Sequence, residues 1–324
     1  MKKIICTVSL SISCLFIVIL CFFVAYPVLT KASEETEKEY AGVIRIWHVD
    51  SFEGGKGSRA AFLNSVARAF EKDREGVLFL VTSHTAESAA ESLKNGEKPD
   101  LFSFGSGLAE AADILLPVSG GSKEAQAGGK SVAVPWCRGC YFLFEREEGR
   151  SDDLLVSEGK NSMALVAAAL SLEQESCVRM ASTQAYVSFL AGNYKRMIGT
   201  QRDVWRLRTR NEEATITPLP AFSDLYQYIG ICADDEKRSV CEDFIAYLLS
   251  DEVQASLSRI GMLGAVTSVY GADDPVLSSA EEQTIKNTVY AFLSQTTREE
   301  MNSLALSSLK GDKNSAKKLE NYLL

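Results

Sequence analysis

The sequence predicts an α/β fold in which a mostly parallel sheet carries helices on both faces. Three observations predict it. Short β-branched runs alternate with stretches of helical periodicity between Val43 and Gly107. Glycines stand where the runs change type, as at Gly76, Gly96 and Gly105. Apolar residues make up 46% of the 324 residues, enough for two lobes or one large domain with a substantial core.

The elements follow in order. Val43–Trp47 reads as a strand and Arg59–Lys72 as a helix, with Ala60, Leu63, Val66, Ala67 and Phe70 on one face. Val77–Thr82 is a second strand, Thr85–Asn95 a helix stopped by Gly96, and Leu101–Phe104 a third strand. Ser119–Gly129 is a Gly- and Ser-rich loop, and the stretch SVAVPWCRGCYFLFE is a strand pair broken at Pro135-Trp136. Ser162–Leu172 is an Ala- and Leu-rich helix. A helix, the Gly192 stop, a strand near Lys195–Ile198 and a further helix come next, then a strand at Thr215–Leu219 and the extended FSDLYQYIGICADD. From Glu236 the pattern is helical: Ser239–Ser250, Glu252–Gly261, Ala280–Ser294, Thr297–Leu309 and Asn314–Leu324.

The N-terminus carries Lys2 and Lys3 followed by Ile4–Thr30, a run without a charged residue. Spanning a bilayer takes about 20 apolar residues, and a cleavable leader has a shorter core. The run is read as a signal-anchor at residues 1–32, with a signal peptide cleaved near Ala32 as the alternative, and Ser33–Tyr40 as a charged linker. The basic end stays cytoplasmic, so the rest of the chain faces outward.

The net charge of −9 argues against nucleic acid as a partner. Of eight cysteines, Cys137, Cys140, Cys177, Cys232 and Cys241 lie beyond the apolar run. They are read as buried thiols, with a disulfide or a metal or redox role as alternatives. Cys137 and Cys140 have redox-motif spacing but precede a strand, so no helix N-terminus lowers a thiol pKa. The loop after Trp47 lacks both the Walker and the dinucleotide glycine patterns. Only His48 and His84 are available as catalytic histidines, and no Gly-x-Ser-x-Gly elbow exists, so the chain is read as a non-enzyme without cofactor or metal. Asp50 and Glu53 as a glycosidase-like pair are the enzyme alternative.

Five pieces in order resemble the carbohydrate-binding solute-binding proteins of ABC importers: IRIWHVDSFEGGKGSRAAFLNSVARAFEK, NGEKPDLFSFGSG, VAVPWCRGCYFLF, FLAGNYKRMIGTQRD and KRSVCEDFIAYLLSDEVQ. The resemblance implies a two-lobed periplasmic-binding-protein-like fold of type II that closes like a hinge, with C-terminal helices packed on the first lobe. The lobe boundaries read 41–136 for the first lobe, 137–229 for the second, and 230–324 for the return and C-terminal helices. It implies a monomer that captures a small polar ligand, such as a sugar or oligosaccharide, for an ABC permease. Three departures leave room for a membrane-anchored sensor or interaction subunit: a short second lobe, no lipobox, and Arg196-Met197 where the family has Ala-Met.

Candidate ligand residues follow from what a sugar needs, an aromatic for its CH face and polar groups for its rim. Trp47, Asp50 and Glu53 flank a glycine loop whose backbone amides are expected to face the cleft. Phe104 and Gly105 end a strand on the same edge, and Trp136 sits at the expected crossing. Gln201 and Arg202 open a second-lobe helix, where Thr200 and Asp203 also read as a helix cap. Tyr226 precedes the return. Arg206, Arg208 and Arg210 read as a solvated face, with an acidic sugar or another anion as the alternative.

Overall fold

The computed structural model describes residues 40–159, 161–233 and 235–324. The expected membrane run Ile4–Thr30 lies outside them. Among the described residues no helix is long and apolar enough to cross a membrane.

Two sheets organise the chain. The first has six strands, ordered β13-β6-β12-β3-β1-β2. Its members are β1 (Gly42–Val49), β2 (Val77–His84), β3 (Leu101–Gly105), β6 (Val134–Arg138), β12 (Tyr226–Ile231) and β13 (Leu263–Gly264). β1 pairs in parallel with both β2 and β3, while β12 runs antiparallel between β3 and β6. A two-stranded ribbon of β4 (Gln126–Ala127) and β5 (Lys130–Ser131) stands apart, inside the stretch read as a loop. The second large sheet has five strands, ordered β11-β7-β10-β8-β9. They are β7 (Tyr141–Glu145), β8 (Ser151–Glu158), β9 (Cys177–Ala181), β10 (Tyr194–Thr200) and β11 (Thr215–Pro218). Each sheet is one lobe. The chain leaves the first sheet after Arg138 and rejoins it at Tyr226.

Helices α1 (Arg59–Glu71) and α2 (Ala86–Lys94) join the first three strands of the first sheet, each N-capped, by Ser58 and Thr85 respectively. In the second lobe α3 (Ala164–Ser171) and α4 (Ser182–Leu190) connect parallel strands, and α5 (Gln201–Thr209) follows β10. α6 (Asp235–Leu248) and α7 (Asp251–Ala255) follow β12.

Pro135-Trp136 does not break the strand. β6 runs through it, and its register against β12 slips between the Gln227–Cys137 and Tyr228–Pro135 pairs. The irregularity accommodates a proline that cannot donate to the ladder. The break falls instead at Gly139-Cys140, between β6 and β7.

The C-terminal helices divide between the lobes, which corrects the expectation that all pack on the first. α6 packs on α1 and β12. α8 (Pro275–Glu282) lies against both sheets, packing on β11 and on β13, with Arg138 of β6 donating to its Ala280 and Glu281 carbonyls at 3.2 and 3.1 Å. α9 (Gln295–Leu309) packs on α3 of the second lobe and α10 (Lys313–Glu320) on α9. The expected helix Ala280–Ser294 is absent beyond Glu282. That segment runs over the hinge and first lobe, with Lys286 donating to the Pro220 carbonyl at 2.9 Å and Gly107 to the Ala291 carbonyl at 2.8 Å. Phe292 stacks on Phe104 at 5.6 Å. Backbone hydrogen bonds to the hinge and first lobe, with Phe292 packed beside them, replace helical hydrogen bonds there.

No disulfide joins cysteines among the described residues. Burial pushes the Cys137 thiol up to about 12 and the Cys140 thiol up to about 11, so both stay protonated and inert near neutral pH. No group of three or more His, Cys, Asp or Glu is placed to hold a metal among the described residues.

Candidate functional site

The carboxyl end of β1 delivers His48, Val49 and Asp50 to the space between the lobes. His48 is buried, with Nδ1 3.1 Å from Ser103 Oγ and Nε2 3.0 Å from Asp50 Oδ1. Ser103 Oγ also accepts from Trp136 Nε1 at 3.1 Å and Gln227 Nε2 at 3.2 Å. With both of those donors aimed at it, the hydroxyl turns its own proton to Nδ1, and Nε2–H donates to Asp50. Burial lowers the His48 pKa, so the ring is neutral at pH 7. Ser103, His48 and Asp50 thus have the connectivity of a catalytic triad. Yet Ser103 is 0% exposed and saturated with hydrogen bonds, so no substrate carbonyl reaches it.

The loop beyond Asp50 is held from inside by Arg59. Its Nε donates to Asp50 Oδ1 at 2.8 Å, Nη2 donates to the Phe52 carbonyl, and the guanidinium lies 4.0 Å from the Phe52 ring centre. Partial burial pushes the Asp50 carboxyl up, but the His48 hydrogen bond and the Arg59 charge outweigh it and hold it below the usual carboxylate range. Gly55 takes a φ of +68°, and an added Cβ there would strike the Ile260 carbonyl. The amides of Lys56 and Gly57 both donate to that carbonyl, at 2.8 and 3.1 Å. Amides expected to face a ligand are therefore spent inside the first lobe.

What the loop presents across the cleft is Glu53. Arg202 Nη1 lies 2.7 Å from its Oε2, and Ser182 Oγ donates to the same oxygen at 2.6 Å. Arg202 is placed by the turn from β10 into α5. There the Thr200 hydroxyl accepts from the Arg202 amide at 3.3 Å, and Asp203 accepts from the Thr200 amide at 3.1 Å. The capping expectation for Thr200 and Asp203 holds, and Arg202 of the same turn reaches Glu53 of the first lobe. Burial raises the Asp203 carboxyl pKa against the pull of the Thr200 amide and Arg206.

Behind Glu53 the cleft is nearly full. Between Phe52, Glu53, Ser182 and Leu225 a void of about 10 Å³ remains, about the room of a single water. Two larger spaces lie outside it. One, of about 340 Å³, is bounded by Asp50, Glu53, Lys56, Arg59 and Arg202. The other, of about 450 Å³, runs between Lys56 and α4–α5.

Of the candidate ligand residues, Asp50, Glu53 and Arg202 are brought together on the first of these spaces. The other candidates are placed elsewhere. Trp47 packs in the first-lobe core, 4.5 Å from His84 and edge-on to Phe102. Phe104 is fully buried between Tyr228 and Phe292. Gly105 donates to Ser51 Oγ at 2.9 Å, and the room for a side chain is taken by Ser51 and the Tyr226 carbonyl. Trp136 is 0% exposed and stacks on Phe62 at 5.8 Å. Gln201 is buried between Gly54 and Gly139, accepting from the Cys140 amide at 3.1 Å. Tyr226 is half-buried against Tyr228. None of these six lines either of the two larger spaces. The sequence reading missed Lys56, Arg59, Ser182, Tyr186 and Trp205; the aromatic set among arginines in RDVWRLRTR was the one signal for the last.

No protein-family model matches the sequence, and no curated protein matches it. Solved structures do. The GacH receptor of Streptomyces glaucescens, crystallised unliganded and with acarbose and an acarbose homolog, aligns over 88% of this chain and 98% of its own, at 16% identity and a TM-score of 0.57. The sugar-binding protein MalE of Xanthomonas citri aligns over 87% of this chain and 95% of its own, at 14% identity and a TM-score of 0.60. What is shared at such identity is the backbone plan: this chain is built on the two-lobed α/β architecture of those two binding proteins.

Proposed function

We propose that the chain is an extracytoplasmic solute-binding protein that captures a sugar or oligosaccharide between its lobes for an ABC permease, by binding and not by chemistry. The observation that carries the reading is the bridge from Glu53 of the first lobe to Arg202 and Ser182 of the second. The bridge uses groups that also suit hydroxyls: a carboxylate acceptor, a guanidinium fork and a hydroxyl. A ligand that replaces it exchanges one set of interlobe hydrogen bonds for another, and so shifts an open–closed equilibrium by its differential affinity. The sugar-binding proteins with this backbone plan support the choice of ligand class. A scattering and thermal-shift screen against neutral and acidic oligosaccharides tests it. A saturable rise in Tm with a change in radius of gyration is expected, and silence across the panel overturns the proposal.

One observation favours a second reading, a ligand-sensing or interaction subunit for a membrane receptor. The deep cleft is occupied by the protein's own Phe52 and Glu53. Co-purification from membranes separates the two, with permease subunits supporting capture for import and a sensor kinase supporting signalling.

A further inference from the structure

The groove of about 450 Å³ between Lys56 and helices α4–α5 carries a charge opposite to that of the chain. Four of its ten lining residues are Lys or Arg and none is acidic, in a protein of net charge −9. Arg202, Arg206 and Arg210 recur every fourth residue along α5 and its C-cap, which sets them on one face about 6 Å apart along the axis. Arg208 falls off that face and is satisfied by a two-pronged pair with Asp274 at 2.6 and 2.7 Å.

How the cations are held matters. Lys56 Nζ lies 4.0 Å from the centre of the Trp205 ring, and the Arg206 and Arg210 guanidinium groups lie 5.2 and 5.8 Å from that of Tyr186. An aromatic face positions a cation without cancelling its charge, whereas a carboxylate neutralises it. Arg202 and Arg206 are also paired, with Glu53 and Asp203; Lys56 and Arg210 are exposed. The Tyr186 hydroxyl is buried at the groove without a hydrogen-bond partner among the described residues, an orphan that a ligand oxygen satisfies. Lys56 belongs to the first lobe and the arginines to the second, so one occupant touches both.

We infer that this groove is the binding site for an anionic saccharide, its charge supplied by carboxylate or sulfate groups that bridge Lys56 to Arg206 and Arg210. The inference rests on the proposed capture of a saccharide and narrows its class. Arginine forks suit planar carboxylates and sulfate oxygens, and a bridging anion draws the lobes together where the Glu53–Arg202 pair already joins them.

The test is calorimetric titration of the full chain with tri-galacturonate, a sulfated disaccharide, maltotriose and inorganic sulfate. It is paired with Trp fluorescence, since Trp205 is the half-exposed indole where Trp47 and Trp136 are buried. Saturable binding of a charged saccharide is expected, weakening with salt and falling about tenfold or more in the Lys56→Gln/Arg210→Gln variant. Both replaced side chains are exposed, and an unchanged Tm verifies the fold; Trp205→Phe, which keeps an aromatic but loses the indole signal, is the second variant. Tri-galacturonate and the sulfated disaccharide separate the two sources of charge. Maltotriose binding equally, with the charge variant silent, overturns the inference and leaves sugar capture standing. Inorganic sulfate binding as tightly as either charged saccharide overturns it as well, since the groove is then a simple anion site. Binding by no saccharide, charged or neutral, brings down both readings.

Discussion

The two lobes meet in two places built on opposite principles. At the hinge the contact is buried and multiply tied. Asp224 and Arg298 are each 3% exposed and pair at 3.1 Å. The Tyr141 hydroxyl donates to Asp224 Oδ1 at 2.8 Å and accepts from the Met163 amide at 3.0 Å, and Arg298 Nη1 donates to the Asn161 carbonyl. Apolar packing continues there too, since Leu263 and Leu277 join the second-lobe core. At the mouth the contact is a handful of half-exposed polar links: Glu53 with Arg202 and Ser182, and Trp205 Nε1 with the Gly261 carbonyl at 3.3 Å. Breaking the hinge network strands a buried charge, whereas breaking the mouth returns its groups to water. The difference teaches which contact yields first: water replaces the mouth contacts at little cost and cannot reach the hinge.

Four measurements break or sharpen that contrast. The largest effect is expected for Arg298→Ala, which leaves the Asp224 carboxylate buried without its cation and costs about 3–5 kcal/mol in urea unfolding; a loss comparable to that of a surface pair refutes the buried clamp. Tyr141→Phe removes one donor to Asp224 and the acceptor for the Met163 amide, for about 1–3 kcal/mol by the same assay.

The third measurement concerns pH. The folded pKa of His48 lies below its unfolded value, so the unfolded chain binds the additional proton and stability falls as pH drops below about 6.5. The slope is at most about 1.4 kcal/mol per pH unit for one proton. Asp50 adds a loss in the same direction only below about pH 4, because its folded pKa is also lowered. Between pH 7 and 5 His84, whose pKa burial also lowers, acts in the same direction, while Asp203 and Asp224, raised by burial, act in the opposite one. The difference in urea midpoint between the parent chain and His48→Gln across that range therefore isolates the His48 contribution.

The smallest stability effect is expected at the mouth. Glu53→Gln costs under about 1 kcal/mol, since Arg202 is 39% exposed and the pair is screened. The same substitution widens the particle in small-angle scattering by releasing the closed arrangement, which Tyr141→Phe does not do. A stability loss at Glu53 rivalling that at Arg298 erases the distinction between mouth and hinge.

Much of the plan was legible from local pattern. α1 begins at Arg59 as read, and the alternation from β1 through β3 has the order seen in the first sheet. β8 and β9 escaped notice for physical reasons. β8 opens on Ser151-Asp152-Asp153, polar residues that hide a buried run from Leu154 to Ser157, and β9 is a short, partly exposed edge strand. The candidate aromatics misled for a related reason. An interior parallel strand is covered on both faces, so the last four residues of β1 are all buried and alternation does not say which points to a ligand. Trp136 looked like a cleft residue beside a strand-breaking proline, but β6 continues past Pro135 and the indole is turned onto Phe62. Asp50, Glu53 and Arg202 stand at loop and helix starts and stay partly exposed. Arg59 and Asp203, also charged and at helix starts, are buried by the hydrogen bonds that fix those turns, a difference local pattern does not show.

The segment from Gln283 to Ser294 has a mechanical meaning. With α9 packed on the second lobe, α8 set against both sheets and Phe292 seated on the first lobe, it ties the two bodies together beside the paired crossings at Gly139-Cys140 and 219–225. Two tethers lying side by side permit torsion as well as bending. A third strap resists the torsion, so in the proposed capture by lobe closure bending along a single arc is the motion the connections leave.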